Sequence, residues 1–147
     1  MKGMILMPKM TPYFLFNGNC KEVLEFYSKV FETEAFIETY GDAPANPDSP
    51  ISENIKNLVS HAELKLDGEI MMFGDVLPNS PVLMGNNLAT AFRSNDVNKI
   101  KKVYNALSEN AVIKMSLQET PWSICYGALT DKFGMSWFFN YDKSLNS

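Results

Sequence analysis

Apolar positions along the chain follow two different periods, and the same order of predicted elements occurs twice. Residues 11–17 form a short aromatic-rich stretch that is typical of a strand. The apolar residues that follow recur at helical spacing: Val23, Phe26, Tyr27 and Val30. One face of this segment is therefore apolar, which predicts an amphipathic helix that packs on a sheet.

The polar residues around this helix predict how it begins. Asn19 stands where an N-cap is expected, and Glu22, three residues later, completes the pattern of a capping box. Strands are then predicted at 35–40, 58–66 and 69–73. In the second of these, apolar and polar residues alternate, which is the pattern of a sheet with one apolar face. Asp67-Gly68 predicts a tight hairpin turn between the last two.

The second half of the chain repeats this order. A strand at 88–93 precedes a helix that Asn95 or Asp96 caps, and strands follow at 111–115, 122–129 and 135–140. An offset of 77 residues superimposes the two helices, and an offset of 66 superimposes Gly68 on Gly134. The repeat is one of elements rather than of residue identities.

The resulting expectation is a single α+β domain over 1–147, made of two strand–helix–strand–strand–strand modules at about 11–75 and about 87–141. One helix covers only one face of each sheet. The two uncovered faces are therefore expected to form a cup, a shape in which ligand sites are common. Residues 41–57 carry three prolines and predict a long irregular loop, which is a candidate lid.

Composition excludes several classes of partner. The net charge of −4 argues against nucleic acid, whose phosphates need clustered Lys and Arg. No apolar stretch approaches the roughly 20 residues of a membrane helix, and the apolar start at 1–8 is too short for a secretory signal. The two cysteines, Cys20 and Cys125, are far apart and predict free thiols. The expected location is the cytoplasm.

Four stretches, in this order, resemble the PhnB-like branch of the vicinal-oxygen-chelate superfamily, which includes glyoxalases, bleomycin resistance proteins and dioxygenases. They are FLFNGNC at 14–20 with EFY at 25–27, YGDAP at 40–44, HAEL at 61–64, and LQETPW at 117–122 with TDKFGMSW at 130–137. The resemblance implies paired βαβββ modules and a homodimer. Some members carry a 3-demethylubiquinone methyltransferase label, but the sequence has no glycine-rich turn after a strand of the kind that cradles a nucleotide cofactor.

Metal-dependent relatives hold a divalent ion with His and Glu from the first and last strand of each module. Alignment on Phe26-Tyr27 and on the hairpin glycines implies that these positions correspond to Pro12, Met72, Ala89 and Phe138. These side chains do not suit a hard or borderline cation. We therefore predict no metal site and no cofactor.

His61 is the only histidine, and it shares a strand face with Glu63, opposite Ala62 and Leu64. It is the candidate general base, because the imidazole titrates near neutral pH. Glu63 could orient it, although residues two apart on a strand are separated by about 7 Å of rise. The alternative is a structural histidine, whose ring forms a hydrogen bond with a neighbouring carboxylate or carbonyl.

The other candidate ligand-binding residues come from the second module. Arg93 could anchor a carboxylate or a phosphate, or could form a surface ion pair. Trp122, Tyr126 and Trp137 could stack on a planar ligand, or could belong to the core. Gln118 is expected in a loop at the rim of the cup, as a ligand contact or as a solvated loop residue.

Three interpretations of function follow. The first is a metal-free protein that binds a small molecule, as some relatives do when they sequester antibiotics. The second is a metal-independent enzyme with His61 as the acid or base and Arg93 as an anchor. The third is a folded module whose cup is vestigial and whose dimer surface is the useful part.

Overall fold

The structure is a computed structural model that describes residues 7–145, so most of the apolar segment 1–8 lies outside the described residues. The chain divides into two compact units, and the division falls between Val82 and Leu83. Each unit contains one of the two expected modules. The expectations of a single domain and of a cup between the modules stay predictions.

Module one contains four strands and one longer helix. In chain order they are β1 (Tyr13–Phe16), α1 (Cys20–Phe31), β2 (Ala35–Thr39), a 3-10 turn (Tyr40–Asp42), β3 (Val59–Leu66) and β4 (Glu69–Asp75). The sheet order is β1-β4-β3-β2. The β1–β4 pair is parallel, and the other two pairs are antiparallel.

Module two repeats this plan. Its elements are β5 (Thr90–Ser94), α2 (Val97–Leu107), β6 (Val112–Thr120), β7 (Ser123–Thr130) and β8 (Ser136–Tyr141). The sheet order is β5-β8-β7-β6, again with one parallel pair at the β5 edge. The predicted α+β class and the two βαβββ modules are confirmed.

The core of each module lies between one face of the sheet and its own helix. In module one the ring of Tyr27 in α1 lies 5.9 Å from that of Phe73 in β4. In module two the ring of Tyr104 in α2 meets that of Phe139 in β8 edge-on at 5.1 Å. All four side chains are buried. We call the opposite face of each sheet its open face.

The capping interactions predicted for the start of α1 are wrong. Asn19 occupies the N-cap position, but its side chain makes no cap hydrogen bond and no capping box forms with Glu22. Instead, the buried carboxylate of Asp75 accepts the backbone N–H groups of Gly18 and Cys20, at 2.9 and 3.0 Å. The backbone of Asn19 is outside the extended conformation that a side-chain cap requires, which explains the difference.

The predicted start of α2 is confirmed for Asp96, whose side chain accepts from the N–H groups of Asn98 and Lys99. The hairpin at Asp67-Gly68 is also confirmed, because both residues have positive φ, at 49° and 83°. Cys20 and Cys125 are free, as expected, and both are buried.

The strand predicted at 111–115 is too short, because β6 continues to Thr120. Gln118 therefore lies in a strand and not in a loop, which corrects its expected placement. β6 is an edge strand without a buried residue, but Ile113, Met115 and Leu117 alternate with Lys114, Ser116 and Gln118, so its pattern continues past the predicted end at Met115. Apart from the 3-10 turn at Tyr40–Asp42, residues 41–57 contain neither helix nor strand, while their role as a lid stays a prediction. None of the helices in the described chain is long and apolar enough to cross a membrane.

Candidate functional site

The open face of module two is defined by the alternation of burial along its strands. Phe92 and Phe139 are buried on the α2 side of the sheet, whereas Phe138 and Arg93 are exposed. Side chains of directly paired residues share a face of a sheet. The register of the strands therefore shows which residues accompany Arg93 and Phe138.

Four polar residues form a continuous row across this open face. Arg93 of β5 pairs with Asn140 of β8, and Asn140 pairs in turn with Tyr126 of β7. Tyr126 pairs with Gln118 of β6. We call these four residues the polar row. Three of them, Arg93, Tyr126 and Gln118, are candidates that the sequence had indicated separately.

Aromatic rings flank the polar row. The ring of Trp122 meets that of Tyr126 edge-on at 5.4 Å, and the ring of Phe138 lies 6.2 Å from Tyr126. Trp122 is 66% exposed, so its assignment to the core is excluded. Trp137, by contrast, is buried and its indole N–H donates to Asp131 at 2.9 Å, as the core interpretation predicts. An exposed tryptophan beside polar groups is a surface on which a planar molecule can stack.

Asn140 is a functional candidate that sequence reasoning missed. Its side-chain oxygen, Oδ1, is buried and has no hydrogen-bond partner in the described part of the chain. Buried polar atoms without a partner are rare in native proteins and call for an explanation. The only signal in the sequence was a carboxamide within the aromatic run WFFNY at 137–141.

The guanidinium of Arg93 is held in place at the edge of the row. Its Nη1 donates to Oδ2 of Asp142 at 3.1 Å, so the ion-pair interpretation of Arg93 is confirmed. The side chain stays 53% exposed, and a guanidinium has five N–H donors. Hydrogen bonds from Ser144, and then the charge of Arg93, lower the pKa of Asp142 below its usual range. The carboxylate of Asp142 therefore stays ionised at neutral pH. Arg93 keeps N–H donors for an anion.

Gln118 lies at the other end of the polar row. Its side-chain nitrogen donates to the carbonyl oxygen of Ser116 at 3.0 Å, which fixes the direction of the carboxamide. The residue is exposed. Its carboxamide oxygen can accept a hydrogen bond from outside the chain.

The open face of module one carries His61 and Glu63. Nε2 of His61 lies 3.0 Å from Oε2 of Glu63, and both side chains are half-buried. The spacing of about 7 Å along the strand had argued against this contact, but the two side chains lean towards each other. The shared face is confirmed, since Ala62 and Leu64 are buried on the other side. A carboxylate that contacts a histidine can hold the ring in one tautomer and orientation.

Tyr13 lies beside this pair. Its ring centre is 5.9 Å from that of His61. Its hydroxyl group lies over Gly74. Any larger residue at position 74 would place its Cβ only 3.1 Å from the hydroxyl oxygen of Tyr13. Burial, followed by the neighbouring Tyr40, raises the pKa of Tyr13, so the hydroxyl stays protonated at neutral pH and can donate a hydrogen bond. Tyr13, His61 and Glu63 together offer a donor, a base and an orienting carboxylate.

The positions that correspond to metal ligands in metal-dependent relatives carry no suitable donor. The backbone N–H of Met72 donates to the carbonyl of Pro12 at 2.9 Å, so these two positions are neighbours in the sheet. The strand register corrects the counterpart of Pro12 from Ala89 to Thr90. Phe14 and Phe92 correspond through their pairing with Phe73 and Phe139, which gives an offset of 78.

The strands and the helices are offset by different numbers of residues because the turn between them differs in length. It has three residues before α1 and two before α2. The correction does not create a site, because Thr90, Met72 and Phe138 together lack the imidazole and carboxylate groups that a divalent ion needs. Within residues 7–145, no three His, Cys, Asp or Glu side chains are grouped so that they could hold a metal ion. The residues present do not fit the metal of the metal-dependent relatives.

The six predicted site residues thus fall into two groups. His61 and Glu63 are in contact on module one. Arg93, Tyr126 and Gln118 share the polar row of module two, with Trp122 packed against Tyr126. Asn140 and Tyr13 are the additions that the structure makes.

Comparison with known proteins places this geometry in a family. A family model described as 3-demethylubiquinone-9 3-methyltransferase matches residues 8–139. Protein YjdN of Escherichia coli (strain K12) is 27% identical over 142 residues, which cover 91% of this chain and 95% of the relative.

Solved structures agree with this assignment. Protein PA1353 from Pseudomonas aeruginosa is 26% identical, with 92% of this chain and 98% of the other covered and a TM-score of 0.81. A putative 3-demethylubiquinone-9 3-methyltransferase, PhnB protein, from Bacillus cereus is 25% identical, with 92% and 100% covered and a TM-score of 0.68.

A more distant likeness concerns the fold alone. A glyoxalase/bleomycin resistance protein from Albidiferax ferrireducens T118 is 11% identical, with 91% of this chain and 100% of the other covered and a TM-score of 0.56. The fold of this chain is therefore glyoxalase-like, as its two βαβββ modules indicated. The chain belongs to the 3-demethylubiquinone-9 3-methyltransferase family of PhnB-like proteins.

Proposed function

We propose that this chain binds a small organic molecule on the open face of module two, without a metal ion of its own. The observation that carries the proposal is the polar row, which joins Arg93, Asn140, Tyr126 and Gln118 in one line beside the exposed ring of Trp122. A few convergent polar groups next to aromatic surface are the usual composition of a small-molecule site.

The chemistry of the row supports binding rather than a purely structural role. Each aromatic pair contributes about 0.5–1.5 kcal/mol beyond the burial of area, so stacking on Trp122 and Tyr126 would raise affinity severalfold. The free donors of Arg93 add a charge-assisted contact to an anionic group.

The family description mentions methyl transfer, but the chain's own residues do not support a site for a nucleotide-like methyl donor. Such sites use backbone N–H groups at the turn between a strand and a helix. Here the N–H groups of Gly18 and Cys20 at the start of α1 already donate to Asp75. Methyl transfer is therefore not part of the proposal.

The proposal is tested by thermal shifts with a panel of planar organic acids, amides and amines. A compound that binds only the native state raises the melting temperature. We expect at least one shift that Trp122→Ala removes and that Leu88→Ala keeps, since Leu88 is an even more exposed apolar residue of the same module, at 79%. A panel without any shift, or a shift that Trp122→Ala leaves intact, would contradict the proposal.

The contact between His61 and Glu63 favours a second candidate function, a metal-independent enzyme with His61 as the acid or base. A histidine that a carboxylate orients is a common arrangement in general base catalysis. Mass spectrometry of panel compounds after incubation would reveal turnover. If this site is catalytic, His61→Ala should abolish the turnover. An unchanged rate of turnover in that variant would show that His61 takes no part in the reaction.

A further inference from the structure

We infer that Tyr13 is the proton donor that acts with His61 on the open face of module one, and that this pair takes an uncharged carbonyl compound with a C–H bond next to the carbonyl. The inference rests on the second candidate function, catalysis by His61, and is separate from ligand binding on module two. It follows from the hydroxyl of Tyr13, the proton on His61, and the charged and apolar side chains around them.

The hydroxyl of Tyr13 is available to a bound molecule. Tyr13 is 47% exposed, and its hydroxyl forms no hydrogen bond with the residues that the structure describes. Burial raises the pKa of this hydroxyl, so it carries its proton at neutral pH. The ring centres of Tyr13 and His61 lie 5.9 Å apart, and the side chain of His61 is 29% exposed. One small molecule can therefore contact both groups.

Gly74 allows the two rings to come together. Tyr13 of β1 and His61 of β3 are separated by β4, and two strands on either side of a third are about 10 Å apart. The ring of Tyr13 bridges this gap by lying over Gly74, where a Cβ would come within 3.1 Å of the hydroxyl oxygen and 3.5 Å of Cε1. Gly74 is therefore a positioning residue for Tyr13.

The contact with Glu63 assigns the proton of the neutral His61 ring. Nε2 lies 3.0 Å from Oε2 of Glu63, and an ionised carboxylate can only accept a hydrogen bond. Nε2 therefore carries the proton and donates to the carboxylate. The other ring nitrogen, Nδ1, then holds the lone pair and is the basic atom.

An acid and a base that serve one substrate can convert a carbonyl compound into its enol. Nδ1 of His61 takes the proton from the carbon next to the carbonyl, and the electron pair of that C–H bond forms the C=C bond. The π pair of the C=O bond moves to oxygen, which takes the proton of Tyr13. Reversal of these steps returns both protons, so the reaction consumes no oxidant, reductant or other reagent.

The charges around the pair favour an uncharged substrate. Glu63 contacts the ring of His61, and Glu38 of the neighbouring strand pairs with His61. Two carboxylates beside His61 disfavour an anionic substrate. The cation of the same strand, Lys65, stands two positions beyond Glu63.

Exposed apolar side chains border the same region. Leu15 lies two positions after Tyr13, and Phe36 pairs with Glu63, so both share the open face, and both are exposed. They suit an apolar substituent on the carbonyl compound. Phenylacetone combines these features, because it is an uncharged ketone with an aryl group and C–H bonds next to the carbonyl.

Hydrogen–deuterium exchange of phenylacetone tests the reaction. In D₂O the proton that reaches Nδ1 of His61 exchanges with solvent, so the protein should replace hydrogen by deuterium at the carbon next to the carbonyl. The loss of the ¹H NMR signal of that carbon measures the rate. Phenylpyruvate is the matched anionic probe, and the protein should accelerate its exchange less, relative to the rate without protein.

Variants connect the exchange to Tyr13. Tyr13→Phe keeps the ring but removes the donor, and should slow the exchange by roughly 10²- to 10⁴-fold, the usual contribution of acid–base catalysis. Tyr141→Phe removes a hydroxyl of module two and should leave the rate unchanged. Gly74→Ala should displace the hydroxyl and slow the exchange, by up to about 100-fold for a shift of about 1 Å. The double variant should be no slower than Tyr13→Phe, because Gly74 acts through the hydroxyl.

The outcomes separate this inference from both candidate functions. No acceleration with phenylacetone, an unchanged rate in Tyr13→Phe or a greater acceleration with phenylpyruvate would overturn the inference. The ¹⁵N NMR spectrum of the only histidine tests the assigned proton, and a proton on Nδ1 of the neutral ring would overturn it too. Exchange that survives in His61→Ala would remove the second candidate function as well. Ligand binding on module two is tested separately by Trp122→Ala and stands or falls by that result.

Discussion

At the scale of single residues, identical residue types acquire different roles from their surroundings. Trp122 and Trp137 both stand at strand-like positions in the sequence, yet one is exposed beside the polar row and the other is buried against Asp131. Asn140 could not be recognised from the sequence, because its unpaired oxygen depends on what surrounds it. Arg93 was recognisable, but its partner Asp142 is 49 residues away in the chain.

The thiol of Cys20 gives a prediction about pH. Burial, and then the charge of Asp75, raise the pKa of this thiol from its usual value of 9.0 to about 12. The folded chain keeps the proton to a higher pH than the unfolded chain, so the stabilisation from this group is complete below pH 9.0 and declines between pH 9.0 and about 12. Urea denaturation should show this decline to be smaller in Cys20→Ala, and an equal decline in both chains would contradict the assignment.

At the scale of elements, the hydrophobic pattern predicted the two α-helices and the order of the eight strands that lie within residues 7–145. The hydrophobic pattern did not predict features that depend on residues far away in the chain. The start of α1 is capped by a carboxylate from β4. The end of β6 was predicted too early for a different reason, since the alternation of Met115 and Leu117 with Ser116 and Gln118 continues beyond the predicted end. The one-residue difference between the two turns before the helices shifted the expected counterpart of Pro12.

The two helix caps should differ in their contribution to stability. Asp75 is buried and accepts three backbone N–H groups, those of Gly18, Cys20 and Val59, whereas Asp96 is exposed and accepts two at the start of α2. Asp75→Ala leaves shielded donors unpaired and should lower the free energy of unfolding by about 3–5 kcal/mol. Asp96→Ala should lower it by about 1 kcal/mol.

Urea denaturation followed by circular dichroism measures both effects. A loss for Asp75→Ala no larger than that for Asp96→Ala would show that the buried carboxylate is not the principal cap of α1. Asp75→Asn is the conservative comparison, because it keeps one acceptor oxygen and should fall between the wild type and the alanine variant.

At the scale of the whole molecule, the two modules share a plan but carry different chemistry on their open faces. Module one presents Tyr13, His61 and Glu63, and module two presents the polar row with its aromatic rings. The repeated order of elements made the fold predictable, since each module buries one sheet face under one helix. The chemistry was less predictable, because it depends on which residues the strand register brings side by side.

The expected homodimer is a prediction at this scale. It follows from the resemblance to PhnB-like proteins, and light scattering at micromolar concentration tests it. A molar mass of twice the 16.6 kDa of one chain is the expected result. A mass equal to that of one chain would contradict it. The cytoplasmic location also stays a prediction, which fractionation of cells that produce the chain would test.

The most direct test of small-molecule binding on module two uses the two indole N–H signals of the chain in a ¹H–¹⁵N NMR spectrum. Trp122 is exposed beside the polar row, while Trp137 is buried and bonded to Asp131, so one signal reports on the site and the other on the fold. A compound that raises the melting temperature should shift the Trp122 signal in a saturable manner and leave the Trp137 signal in place. An unchanged Trp122 signal at saturation would contradict the account.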